Sequence, residues 1–173
     1  MIPVGLKIIS GGQSGADRAA LDAALKMNIP CGGWCPEDRA AEDGPIDAKY
    51  PLTPAPGAGH RERTRLNVRD SDGTVIFSFG PLRGGSLSTL QECRELKKPH
   101  LVIDGHEIST EDAAKSLSDL VQNRGIRVLN VAGLRTSEDA RIYDYVRVVL
   151  QSFWKTEKRR DGDSNPGYGF DPV

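Results

Sequence analysis

The sequence predicts an α/β protein, a doubly wound three-layer sandwich built on a mainly parallel sheet of five strands. Short runs rich in β-branched and aliphatic residues alternate along the chain with amphipathic stretches of helical period. Glycine-containing loops stand at three of the strand-to-helix junctions. At 173 residues the chain has the length of one medium domain with a single sizeable core.

Residues 6–9 read as the first strand, and Gly11-Gly12-Gln13-Ser14-Gly15 as the turn out of it. Glycines let the backbone turn sharply and leave N–H groups free to meet an anion at the start of a helix. Ala20, Leu21, Ala24 and Leu25 make the apolar stripe of that helix, Ser14 and Asp17 stand in capping-box spacing, and Asn28 and Pro30 close it. A brief strand over 29–33 leads into the longest irregular stretch, 34–59, with Pro36, Pro45, Pro51, Pro54 and Pro56. It also holds Trp34, Tyr50 and Leu52, so an ordered lid is expected there.

Residues 60–69 are polar and basic, a helix on which Arg63 and Asn67 share a face one turn apart. A turn at 70–73 precedes a buried strand at 74–79. The loop carrying Gly84, Gly85, Ser86, Ser88 and Thr89 opens a helix whose apolar positions are Leu87, Leu90, Cys93 and Leu96. Residues 101–103 form a strand, Ser109 and Asp112 cap a helix that Gly125 stops, and 126–131 form the fifth strand. Gly133 then leads to a helix along Tyr143, Val146, Leu150 and Phe153. The domain is expected to span 1–155, with 156–173 a disordered tail rich in charge, glycine and proline.

Composition narrows the function. A net charge of −1 is unlike a general nucleic-acid binder, and no apolar run approaches the ~20 residues of a membrane span. The chain begins on a strand without a basic-then-apolar leader, which predicts a cytoplasmic protein. Cys31, Cys35 and Cys93 lack metal-ligand spacing and fit reduced thiols; for Cys31 and Cys35, packing is favoured over a redox or metal pair.

Each junction has a bland and a functional reading. Asp17 serves as a helix cap or as an acceptor for a ligand hydroxyl or amine. Ser88 or Thr89 as a plain cap explains one hydroxyl of the second loop but not three, whereas a phosphate at the helix start uses them all. Arg135 either pairs with Glu138 or Asp139 or grips a phosphate. No nucleophile stands beside a histidine, and among carboxylates spacing does not choose between Asp17, Asp72 and Glu92 as a general base.

Several motifs together resemble the putative molybdenum carrier family, related to molybdenum-cofactor carrier proteins. They are residues 11–22 with Gly33-Trp34-Cys35-Pro36, Arg39-Ala40-Ala41-Glu42-Asp43-Gly44, Tyr50-Pro51-Leu52, Arg63-Thr64, residues 67–72, Gly84-Gly85-Ser86 and Asn130-Val131-Ala132-Gly133, covering about 6–153. The resemblance implies a Rossmann-like fold, circularly permuted relative to the lysine-decarboxylase-like nucleotide-binding group. The strand order becomes 2-1-5-3-4, which brings the loops at Gly11, Gly84 and Gly133 together; an unpermuted 2-1-3-4-5 order would strand Gly133 at the edge. The stretch from Gly84 to Glu92 is one residue longer than the hydrolase loop of that group and lacks its internal glycine.

The resemblance further implies molybdenum cofactor (molybdopterin) as ligand, homo-oligomers, and molybdoenzymes as partners. The leading expectation is a non-catalytic carrier for a phosphate-bearing pterin or nucleotide. Amides of Gly12, Gln13, Ser14 and Gly15 and of Gly84, Gly85 and Ser86 hold the phosphate; Ser86, Ser88 and Thr89 add hydroxyls and Arg135 charge. Gln13, Asp17, Asn67 and Asp72 offer the directional polar groups that a pterin or base edge requires, and Arg63, Gly11 and Gly133 complete the candidate ligand-binding set. The alternatives are a nucleotide phosphoribohydrolase using Glu92 or Asp17, and a nucleotide or ADP-ribose sensor.

Overall fold

A computed structural model describes residues 5–162. Its central parallel sheet is assembled from β1 (Lys7–Ile9), β2 (Cys31–Gly32), β7 (Gly73–Ser78), β8 (His100–Asp104) and β9 (Val128–Gly133), in the order β2-β1-β9-β7-β8. The last strand in sequence sits in the middle, which is the permuted order. Register fixes the centre: Ile8 faces Leu129 across β1 and β9, and Phe77 faces Gly133 across β7 and β9. All six residues of β7 are buried, as a strand covered on both faces requires.

The helices divide between those faces. α1 (Ala16–Lys26), α4 (Thr110–Asn123) and α5 (Ile142–Gly162) pack together on one side, where Val75, Phe77, Leu129 and Val131 meet Ala20, Leu117, Val146 and Trp154 in the main core. α1 meets the sheet through alanines, whose small side chains let it lie close. α2 (His60–Arg69) and α3 (Gly84–Glu95) cover the other side, which is more polar: Thr74 and Asn130 sit opposite each other on neighbouring strands, with Asn130 Nδ2 donating to Thr74 Oγ1 at 3.2 Å. Ser109 caps α4 through Asp112 N at 3.1 Å, as its spacing predicts. α5 continues to Gly162, past the expected start of the tail at 156; the rest of that tail, 163–173, lies outside the described residues.

Residues 34–59 are more regular than their prolines suggest. β3 (Trp34–Pro36) pairs in parallel with β6 (Thr53–Ala55), and β4 (Ala40–Ala41) with β5 (Gly44–Pro45) in a small hairpin. Ile46, Tyr50 and Leu52 close over Leu21 and Cys35 as a second, smaller core. Arg39 supplies the donors that short strands cannot: its guanidinium reaches the carbonyls of Asp47, Tyr50 and Leu52 at 3.0–3.3 Å.

The thiols follow the packing reading. Cys31, Cys35 and Cys93 are free, Cys35 and Cys93 are buried, and burial raises all three above the ordinary thiol value. Among the described residues no helix is long and apolar enough to cross a membrane.

Candidate functional site

A cleft of about 390 Å³ opens between α2 and α3 over the carboxyl end of β9. This is where a doubly wound sheet with a topological switch places its ligands. Gly11, Gln13 and Asp17 line it from the first junction, Arg63 and Asn67 from α2, and Gly85, Ser86, Ser88 and Thr89 from α3. Gly133 and Arg135 complete it from the β9 junction. The three glycine loops therefore do converge.

The glycines of the first loop act differently from the anion cradle expected of them. The amides there are already engaged by side chains of the same loop and helix: Ser10 Oγ accepts from Gly12 N, Asp17 Oδ2 from Gln13 N, and Gln13 Oε1 from Ser14 N at 3.0 Å. Gly12, Ser14 and Gly15 do not line the cleft. Gly15, at φ +79°, allows α1 to pack on the β9 junction, since a Cβ would stand 2.3 Å from the carbonyl of Leu134. Gly11 makes room for a side chain: a Cβ there would fall 1.2 Å from Arg63 Nη1. Ser14 and Asp17 form no capping box, because α1 begins at Ala16 and Ser14 Oγ donates instead to Glu42.

Asp17 is 6% exposed and pairs with Arg63, Nη1 to Oδ2 at 3.1 Å. Burial pushes its carboxyl above the ordinary aspartate value, and the Arg63 guanidinium pulls against that rise. Asn67, 2% exposed, is a fastener: Oδ1 accepts from Trp34 N at 2.8 Å and Nδ2 donates to Trp34 O at 2.9 Å, tying β3 to α2.

The start of α3 is the open donor site. No side chain caps it, its first turn holds no acid, and the amides of Gly84, Gly85 and Ser86 have no partner among the described residues. Gly84 itself stands just off the lining. Ser86 is 3% exposed and its Oγ has no hydrogen-bond partner, while Thr89 Oγ1 donates back to Gly85 O at 2.9 Å. An unmade hydrogen bond of a buried hydroxyl costs about 1–3 kcal/mol, so its place beside three open amides marks an acceptor's seat. Arg61 also lines the cleft, and it is a cation without an ion pair among the described residues.

Two candidates lie elsewhere. Asp72 precedes β7, so it sits at the amino edge of the parallel sheet, where Oδ2 accepts from Arg127 N and Val128 N at 2.9 and 2.8 Å. Glu92 is one α3 turn beyond the cleft and turns to Arg65, Nη1 to Oε2 at 2.5 Å. Arg135 lines the cleft but is shared with Glu138 at 3.5 Å and Glu42 at 3.8 Å.

Sequence reasoning passed over Glu42 as a site residue. From the β4–β5 hairpin it accepts from Ser14 Oγ, Ser137 N and Ser137 Oγ, clamping the hairpin to the first and last junctions. Desolvation raises its carboxyl, but the Ser137 and Ser14 hydrogen bonds outweigh that and hold it below the ordinary value. Asn130 was equally outside the candidate set; its position at the end of the fifth strand, before Gly133, was the available signal. Among the described residues no cluster could hold a metal ion.

Fold and cleft together define a Rossmann-like α/β domain of permuted strand order, with a polar cleft at the carboxyl edge of its sheet. The chain belongs to the circularly permutated YpsA SLOG family, whose model matches residues 8–154. It is 47% identical to the putative molybdenum carrier protein from Syntrophus aciditrophicus SB, whose crystal structure matches with a TM-score of 0.84 over 86% of this chain and 95% of that one. None of the curated proteins matches the chain.

Proposed function

We propose that the cleft binds a phosphate-bearing small molecule and that the protein is a carrier for a ligand of the molybdenum-cofactor class. The observation that carries this is the amino end of α3, where the amides of Gly84, Gly85 and Ser86 stand open beside the unpartnered Ser86 hydroxyl. A phosphate oxygen satisfies those donors together and is favoured by the helix dipole. Arg61, which has no ion pair among the described residues, supplies positive charge, and Ser88 a further hydroxyl on the same wall. The name of the Syntrophus protein supports a molybdenum-related guest. In this reading the carrier works in the cytoplasm as a homo-oligomer, and molybdoenzymes receive the ligand.

The test is native mass spectrometry of the purified protein, paired with calorimetric titration of a pterin phosphate, a nucleoside monophosphate and inorganic phosphate. A phosphate ester that copurifies, and whose binding weakens in Ser86→Ala, supports the reading. Absence of binding by all three probes overturns it.

A hydrolytic alternative rests on Asp17, a buried carboxyl on the cleft wall whose proton affinity is raised. Glu92 is engaged by Arg65 and does not line the cleft, so Asp17 is the carboxyl that this alternative uses. Release of free base from nucleoside monophosphates, lost in Asp17→Asn, would favour it.

A further inference from the structure

Among the described residues, buried side-chain polar atoms without a hydrogen-bond partner include Ser86 Oγ, Arg63 Nε and Trp154 Nε1. Trp154 belongs to the main core, but Ser86 and Arg63 both stand in the cleft wall. Phosphate binding accounts for Ser86 and leaves Arg63. A guanidinium is planar, with its donors fixed in a fork. Nη1 is committed to Asp17 at 3.1 Å, while Nε and Nη2, side by side on another edge, have no partner among the described residues. Gly11 leaves the space that plane occupies, since any side chain at 11 would displace it, and the Asp17 pair fixes one edge.

The amide side chains around Arg63 are already committed. Asn67 gives both ends of its amide to Trp34, and Gln13 Oε1 accepts from Ser14 N and Glu42 N, so what Gln13 has left is a donor. Asp17 neutralises Arg63, which makes this edge a poor second seat for phosphate and a suitable reader of a neutral acceptor pair.

We infer that the cleft selects a ring with two adjacent acceptors, a carbonyl oxygen beside an unprotonated ring nitrogen, gripped by Nε and Nη2 of Arg63. A 6-oxopurine presents this pair as O6 and N7, and a fully oxidised 4-oxopteridine as O4 and N5; a reduced pterin whose N5 carries a proton does not. Adenine places an amino donor beside N7 and meets Arg63 donor to donor. The ligand class is therefore a phosphate ester of an oxopurine or an oxidised oxopteridine. This rests on the phosphate reading above.

The experiment is calorimetric titration of the full chain with guanosine, inosine and adenosine monophosphates and with inorganic phosphate. The wild type is compared with Arg63→Lys, which keeps the charge and loses the fork, and with Ser86→Ala. Guanosine and inosine monophosphates are expected to bind about ten-fold or more tightly than adenosine monophosphate, a ratio that falls towards one in Arg63→Lys and survives in Ser86→Ala while all affinities drop. Equal wild-type affinities, or a ratio unchanged in Arg63→Lys, overturn the inference and leave the phosphate reading standing. If no nucleotide and no phosphate binds, the phosphate reading falls and takes the inference with it. Should Arg63→Lys fail to fold, the wild-type ratio decides.

Discussion

The guanidinium of Arg63 lies over the backbone of Gly11, occupying the space a side chain at that position would need, with Nη1 3.1 Å from the Asp17 carboxylate. A residue from α2 thus completes the first strand-to-helix junction.

Gly11→Ala tests that relationship. Gly11 has no positive φ, so the backbone accepts alanine, and the cost falls on Arg63, which must leave and uncouple a buried carboxylate. The expected loss is about 1–3 kcal/mol in urea unfolding, with the fold retained by far-ultraviolet circular dichroism. An unchanged midpoint would show that the ion pair contributes nothing.

Ser86→Ala separates binding from stability. Removing a buried hydroxyl that makes no hydrogen bond among the described residues is expected to leave thermal stability unchanged or raise it by up to about 1 kcal/mol. The stabilisation that added phosphate gives the wild type should shrink in the variant, read as the difference in Tm with and without the anion.

Asp72→Ala should do the reverse. It strips the acceptor from two backbone amides at the start of β9, so a loss of about 1–2 kcal/mol is expected, with phosphate affinity unchanged. Weakened affinity in this variant would contradict the placement of the site.

Glu42 gives the fold a pH dependence. Its folded-state value lies below the ordinary 4.5, so its contribution is complete above that value and is lost as pH falls through the lower folded value. Glu42→Gln should therefore be less stable than wild type near neutrality and show a shallower loss of stability in acid, measured by chemical unfolding at stepped pH.

What was legible in the sequence follows from how local each signal is. The strand at Thr74–Phe77 is written in consecutive apolar residues, and the cap of α4 in the spacing of Ser109 and Asp112. The permuted order came from motif resemblance, since strand periodicity says nothing about neighbours. The strands at 34–36 and 53–55 were illegible because they contain prolines and pair with each other, and the loop between them is held by Arg39, whose guanidinium reaches carbonyls 7 to 13 residues away. At the site, Gly11 announced an anion loop, but whether its amides are open depends on Asp17 and Gln13 folding back on them. The side-chain register that turns Glu92 towards Arg65 was equally non-local. Asp72 could have been excluded from sequence alone, since it precedes a strand and the site lies beyond strand ends.

The central place of β9 also has a temporal meaning. β1 pairs with β2 and β7 with β8, but these two halves share no ladder with each other until Val128–Gly133 slides between them. On the ribosome, the sheet cannot close until Val128–Gly133 has emerged. The cleft therefore comes into being only after Val128–Gly133 has left the ribosome, and a product cut short before that strand lacks it.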